Sequence, residues 1–317
     1  MSTTTQTSAV TSSVRAARNA PRRPRVKRGG GLIAWVFASP WIIIFVIFMA
    51  APIIASLILS FTDFGIANIG NPFNLNFIGF RNYVQLGHDP TFIAAVLNTL
   101  EFVVIGIPLD VALGLLIAVG LNRGVNAFRA IFRVGYYLPV VTSIVAIAVV
   151  WRYLYDPDVG LINNVLHQVG LSGANWLGNP NLAMPSIIVL AIWRNVGGAM
   201  IIFLAGLQGI DKTLYEAAHI DGAGSFARFR FVTLPMLQPT MLFVVVTTTI
   251  GFLQVFQEPF VMTGGGPLNR TLTVSMYLYQ QGFNFFNQGY ASSIAYVMFV
   301  VIAIVSLIQF RIFRPQM

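Results

Sequence analysis

Cysteine is absent from the 317-residue chain. That absence removes a disulfide scaffold, a Cys-ligated zinc site, an iron–sulfur cluster and a cysteine nucleophile. Histidine is nearly as scarce: His88, His167 and His219 stand far apart, which argues against a His-built metal centre. Charge is scarce as well. Only 9% of residues are Asp, Glu, Lys or Arg, against about 25% in a soluble domain, so an ordinary soluble enzyme is excluded. A phosphate-binding loop needs Gly before its Lys and Ser or Thr after it. Arg28 follows Lys27 and Asp211 precedes Lys212, so neither lysine belongs to one. The net charge of +9 comes from 19 basic and 10 acidic residues, and seven of the basic ones lie in the first 28 positions. The remainder is too apolar to offer the basic, polar face that nucleic acid requires.

What is present is apolar residue in long runs, 56% of the chain. A helix crossing a bilayer needs roughly 20 apolar residues. Six segments meet that length: 32–61; 92–121, interrupted by Glu101 and Asp110; 134–151; 185–207, interrupted by Arg194 and Asn195; 236–262, with Glu258 near its end; and 291–310. Prolines 40, 52, 108, 139 and 239 lie in or near them, which membrane helices tolerate. The first run is too long for the core of a cleaved signal peptide, and five more follow. The predicted fold class is therefore all-α, a polytopic membrane protein with six transmembrane helices. With six spans both termini share one side, and that side collects fifteen Lys and Arg against three opposite, Arg81, Arg152 and Arg270. The bias predicts cytoplasmic termini. Residues 1–30, Ser/Thr-rich and then Arg/Pro-rich, are expected to form a disordered basic tail. It serves as a topology anchor or as a contact for anionic lipid. Residues 31–317 then form the membrane domain.

The longest loop on the inner side is 208–235. Residues 212–220 suit a short helix, with Asp211 as its N-cap and Gly222 at the turn that ends it. Phe226, Phe229 and Val232 follow at helical spacing, and Pro235 is expected to separate this stretch from the next span. Within the loop three residues separate Glu216-Ala217-Ala218 from Gly222, nine separate Gly222 from Val232, and one separates Val232 from Leu234-Pro235.

That ordered pattern resembles the cytoplasmic signature of the membrane subunits of binding-protein-dependent ABC importers, with Val232 in place of the usual isoleucine. Asp221-Gly222-Ala223 is similar to the carbohydrate branch. The resemblance covers about residues 32–314 and includes Ser60-Phe61-Thr62, Asn82-Tyr83, Asn98-Thr99-Leu100, Gly160-Leu161-Ile162-Asn163 and Thr263-Gly264-Gly265-Gly266-Pro267. The set looks like a sugar permease subunit of the maltose and glycerol-phosphate type, with the type I importer (MetI-like) fold. The resemblance implies these partners: a second homologous permease in a heterodimer, two ATPase subunits, an extracellular sugar-binding protein, the sugar itself and the lipid bilayer. It implies no cofactor on this chain, ATP and Mg being held by the ATPase, and no enzymatic activity of its own. Glu216, Ala217, Ala218, Asp221, Gly222, Ala223, Leu234 and Pro235 would form the ATPase-coupling element. The helix would seat in a cleft of the ATPase, Ala217 and Ala218 allowing close approach and Glu216 accepting hydrogen bonds. The alternative is an interfacial helix packed on its own bundle.

Ionisable residues inside a span are costly and face a cavity or a partner. Trp193, Arg194 and Asn195 together offer a ring face and polar groups for a sugar. By resemblance the substrate pathway also includes Gly198 on the same segment and Thr248, Gly251, Phe252, Val255 and Glu258 on the next. The alternative for Arg194 is structural, as an ion pair with Glu258 or Glu101 or by reaching to the surface. Asp110 is left with a polar contact across a subunit interface. The competing functional readings are a self-contained secondary transporter, which predicts broken helices in inverted repeats, and a membrane-embedded enzyme, which needs a polar catalytic cluster. The sequence displays neither feature.

Overall fold

Apolar runs of this length adopt helix because only a helix satisfies every backbone N–H and C=O within one segment when no water is at hand. A computed structural model describes residues 31–68, 70, 75–123 and 129–313. The expected tail 1–30 and Arg314 lie outside the described residues. Residues up to Ile54 form one unit and Ala55 onward a second. The first begins with α1, Gly31–Phe45, a π-helical turn at Val46–Ala50, and α2, Ala51–Leu59, which runs on into the second unit. None of residues 35–59 is buried, as suits a helix clothed by lipid.

The second unit is helical, and its described residues contain no strand beyond an isolated bridge between Thr62 and Phe77. It comprises α3, Arg81–His88; α4, Pro90–Arg123; α5, Arg129–Val141; α6, Ile144–Leu154; α7, Leu161–Gln168; and α8, Ala183–Gln208. It continues with α9, Lys212–Ile220; α10, Ser225–Arg228; α11, Leu234–Met236; α12, Gln238–Leu253; α13, Gln257–Met262; α14, Val274–Tyr279; and α15, Gln288–Ile312. The central element is α8. It packs on α4, α5, α12 and α13, and buries Met184, Ile187, Leu190, Met200 and Phe203 completely. One core cluster joins α8 to Phe102, Ile147 and Phe252. A second joins it to Leu115, Leu121 and Val244.

Among the described residues four helices are continuous and apolar enough to cross a membrane, and the number reaches six if each of two bent pairs is one span. The expected third span, 134–151, is bent by 99° between α5 and α6. Pro139 lies inside α5 and removes an intrahelical donor. The Thr142 hydroxyl donates to the Leu138 carbonyl at 2.7 Å, and Ser143 is extended as the cap of α6. The expected fifth span, 236–262, is also not straight. Helix continues through Pro235, which stands in the first turn of α11, and breaks instead at Leu237, with a bend of 69° before α12. A further interruption at residues 254–256 precedes α13.

Loops are tied to helices by buried side-chain amides. Asn82 Nδ2 donates to the carbonyls of Ser60 and Thr62, both at 2.9 Å. Asn98 Nδ2 donates to Asn269 O at 2.7 Å and Leu272 O at 2.9 Å. Asn163 does most: it donates to Pro157 O and Ala174 O, and accepts from Ala174 N and from Trp176 Nε1 at 2.8 Å. Replacing Asn163 by Ala strands these groups, each at about 1–3 kcal/mol if left unsatisfied. The expected result is a lower Tm with early release of the Trp176 environment, followed by tryptophan fluorescence; an unchanged melting curve would show that water replaces the amide at no cost.

Candidate functional site

A cavity of about 480 Å³ opens between α4, α5, α8 and α12 and the broken segment that leads into α13. Eight of the nine expected pathway residues line it: Arg194, Asn195 and Gly198 from α8, Thr248, Gly251 and Phe252 from α12, then Val255 and Glu258. Gly198 and Gly251 leave bare backbone on the wall, since a Cβ at either would meet nothing within 4 Å. Trp193 is the exception. Successive helical residues are rotated by about 100°, so Trp193 and Asn195 point to different sides. Trp193 turns away, 44% exposed, with its ring centroid 5.5 Å from that of Trp151. The aromatic surface on the cavity is instead Phe252, packed on Phe102 at 5.1 Å.

Arg194 neither reaches the surface nor engages Glu101. Its Nη1 lies 3.6 Å from Glu258 Oε1, with both side chains largely buried, and its Nε has no hydrogen-bond partner. Glu101 pairs with Arg270 at 3.9 Å. Glu258 occupies the first turn of α13, where the helix dipole favours a carboxylate. The break at 254–256 therefore does two things: it brings Gln254 and Gln257 to the cavity, and it starts a helix whose N-terminal turn holds the acid opposite Arg194. Asn195 spends one amide proton on Ala191 O at 2.9 Å. Sequence reasoning missed Phe102, Val140 and Thr247 on the wall. Asp110, given by the sequence only a polar contact across a subunit interface, is buried within this chain and lines the same cavity. Among the described residues no group of three or more His, Cys, Asp or Glu is arranged to hold a metal.

The expected loop helix is present as α9. Asp211 caps it, accepting from Thr213 N at 2.9 Å, and that bond holds its carboxyl below the usual carboxylate range. At the other end Gly222 adopts φ +77°, and the Ala223 N–H returns to Ala218 O at 2.9 Å, the closing bond of a left-handed helix cap. Glu216, Ala217, Asp221 and Gly222 are exposed, and Ala218 and Ala223 are half-buried. None of the nine residues of α9 is buried, so it is not a helix packed down along its own bundle. Its anchor is Tyr215, whose hydroxyl meets Thr233 Oγ1 at 3.0 Å. The expected common face of Phe226, Phe229 and Val232 is not formed. Phe229 packs on the core while Phe226, three positions earlier, is 80% exposed, and a π-helical turn at Phe229–Thr233 shifts Val232 relative to Phe229. Leu234 packs on that core and Pro235 is exposed.

A second polar cluster escaped the sequence. Asp89 accepts from the Tyr290 hydroxyl at 2.7 Å and from the Tyr277 hydroxyl, and caps α4 through the N–H groups of Thr91 and Phe92. Burial pushes its carboxyl up, but the four bonds outweigh it and leave the group below its ordinary value. Burial and Asp89 together push Tyr277 up to about 12, so it remains a donor.

Similarity to known proteins follows the same outline. Residues 110–317 match the family described as "Binding-protein-dependent transport system inner membrane component". The lactose transport system permease protein LacF of Rhizobium radiobacter is 39% identical over 299 residues, 93% of this chain and 98% of that protein. The arabinooligosaccharides transport system permease protein AraP of Bacillus subtilis (strain 168) is 35% identical over 280 residues, 88% of this chain and 87% of that one. A chain in the crystal structure of a bacterial alginate ABC transporter, in complex with alginate pentasaccharide-bound periplasmic protein, superposes with a TM-score of 0.76 at 26% identity. The match covers 90% of this chain and 96% of that one.

Two outcomes follow from the geometry. Arg194→Ala leaves Glu258 buried without its cation, which costs at least about 1–3 kcal/mol; the Tm should drop and recover in Arg194→Ala/Glu258→Gln, and a double mutant no better than the single would mean the pair is not coupled. Asp89→Asn should lower the Tm at neutral pH. Because the folded pKa of Asp89 is depressed from 3.8, its contribution is complete above that value and is lost as pH falls through the folded one. The wild-type advantage in Tm should therefore be constant from about pH 6 to 8 and shrink only under strong acid.

Proposed function

This chain belongs to the family of inner membrane components of binding-protein-dependent transport systems, and from that premise we propose that it is the membrane-spanning subunit of an ATP-driven sugar importer. The observation that carries the reading is α9: nine residues, capped at both ends, exposed on every turn and tethered to the bundle through one tyrosine. Such a helix gains nothing from its own fold and is shaped to be gripped by another chain. Glu216, Ala217, Ala218, Asp221, Gly222, Ala223, Leu234 and Pro235 form the coupling element. The partner is one of two ATPase subunits, which hold ATP and Mg. Neither Lys27 nor Lys212 sits in a phosphate-binding sequence, so this chain contributes no nucleotide site and binds no cofactor. A second, homologous permease completes the path, both termini are cytoplasmic by the Arg and Lys bias, and an extracellular binding protein delivers the sugar. The names of LacF and AraP speak of lactose and arabinooligosaccharides, and the alginate transporter is complexed with a loaded periplasmic protein. The cavity lined by Arg194, Asn195, Gly198, Thr248, Gly251, Phe252, Val255 and Glu258 is the pathway.

Purification separates this from a self-contained secondary transporter. An ATPase subunit should copurify, and uptake by proteoliposomes should require ATP; uptake by this chain alone without nucleotide would overturn the reading. Within the assembled complex Gly222→Leu places a side chain at φ +77°, a conformation that costs about 1–2 kcal/mol without glycine. ATP hydrolysis stimulated by loaded binding protein should fall while the subunits remain associated; wild-type stimulation would show that this turn does not transmit motion.

A further inference from the structure

Three charged side chains line the cavity: Asp110, Arg194 and Glu258. They arrive from three elements, α4, α8 and α13, and no other lining residue carries charge. Arg194 and Glu258 face each other at 3.6 Å. The cavity's only cation is therefore already matched by an acid. Asp110 is different. It is 1% exposed, and its Oδ1 has no hydrogen-bond partner among the described residues. Burying a polar group without a partner is unfavourable. An unpaired acid in a membrane helix is retained where it serves a function. A residue kept for packing would be matched, as Glu101 is by Arg270 and Glu258 is by Arg194.

We propose that Asp110 contacts the transported sugar, and that its unpaired carboxyl, in a cavity whose one guanidinium is already neutralised, selects neutral, hydroxyl-rich saccharides over anionic ones. The inference rests on the reading of this cavity as the sugar pathway and names the substrate class that the pathway accepts. Oδ1 is closed to solvent, so a small movement of the Asp110 side chain toward the cavity it lines brings the carboxyl to a sugar hydroxyl, the O–H donor that it lacks. Hydrogen bonds to charged groups are the stronger ones. An anionic saccharide meets the reverse situation, since the cavity's one guanidinium is already paired with Glu258 and leaves it no free cation to approach. The bare backbone at Gly198 and Gly251 leaves open space on the wall of the same cavity that Asp110 and the ion pair line.

The test uses the assembled complex of this chain with its permease and ATPase partners. The probes are lactose and lactobionate, which differ by a carboxylate on a sugar-acid end, with arabinotriose as a second neutral ligand. Binding is read by saturation-transfer NMR and stability by the Tm of the same preparations. Wild-type complex should bind a neutral probe at least about tenfold more tightly than lactobionate. Asp110→Ala should weaken the neutral probe roughly ten- to a hundredfold, the value of one charged-group hydrogen bond, and the isosteric Asp110→Asn should fall between. Both variants should keep or raise the Tm, because they remove an unsatisfied acid. Glu258→Gln should release Arg194 and improve lactobionate binding. Neutral-sugar affinity unchanged in Asp110→Ala overturns the proposal, as does a lowered Tm in both variants, which would assign Asp110 to the fold. Lactobionate binding to wild type as tightly as lactose overturns the charge selection without any variant. If neither neutral probe nor lactobionate binds the wild-type complex, the reading of the cavity as a sugar pathway itself falls, and the inference with it.

Discussion

The bilayer core offers no water to backbone N–H and C=O groups, and the rest of this molecule is arranged around that constraint. Unbroken helices satisfy it along 90–123 and 183–208. Where helix stops, something else must take over. At the α5–α6 break it is the Thr142 hydroxyl on Leu138 O. Around the extended stretch after α13, Asn98 holds two carbonyls, and Thr99 Oγ1 accepts from Val274 N at 3.0 Å. Thr273 Oγ1 donates to Val255 O at 2.8 Å, closing the interruption that follows α12. Many of the short polar motifs that mark the sequence are thus backbone partners. Asn82, Asn98 and Asn163 are small and buried, and each binds carbonyls that no helix can reach.

The same constraint explains where the polar cavity lies. Irregular backbone at membrane depth is tolerated where it lines a protected space, and the interruption at 254–256 lines this one. The break exposes helix-terminal groups and restarts a helix with Glu258 in its first turn. An acid there invites a cation, and Arg194 provides it from the most buried helix of the fold. Opposite charges from α8 and α13 pin the two walls of the cavity at one point. The remaining wall is free to be small, as at Gly198 and Gly251, or to be polar, as at Thr248.

Much of this was legible in the sequence, for identifiable reasons. Helix positions follow from run length, and the caps of α9 follow from Asp211 and Gly222, because both signals act over a few residues. The pathway residues of α8 and α12 share faces at helical spacing, so they converge as expected. What was not legible depends on geometry that no local pattern encodes. Pro139 announces a weakness but not a 99° turn, which needs the extended Ser143 and packing on α8. Pro235 looks like a stop, yet the helix that starts at Ser225 runs through it to Met236, just past a π-helical turn, and the break moves to Leu237. Trp193 was grouped with Arg194 by adjacency, although adjacent helical residues diverge by about 100°. A π-helical turn breaks the spacing of Phe229 and Val232, which no local pattern announces. Asp89 stands 188 positions before Tyr277 and 201 before Tyr290, and only the fold brings them together.

The cavity and the exposed helix are also one mechanical object. Helix α8 carries Arg194 on its cavity face and ends at Gln208, three residues before the cap of α9. The return path runs from α9 through the π-helical turn and α11 into α12, which carries Thr248 and Phe252 on the opposite wall. The loop is thus closed on both sides by the two helices that bound the cavity. It is fastened to them by apolar packing of Tyr215, Phe229 and Leu234 and by the Tyr215–Thr233 bond. Close-packed interiors transmit displacement because they cannot absorb it. A force on α9 is therefore delivered to α8 and α12 together, and the Arg194–Glu258 pair joins α8 to α13 beside the apolar packing of Ile192, Val255 and Met262. In the proposed importer the pair is thus one of the ties, polar beside apolar, that hold the two walls together.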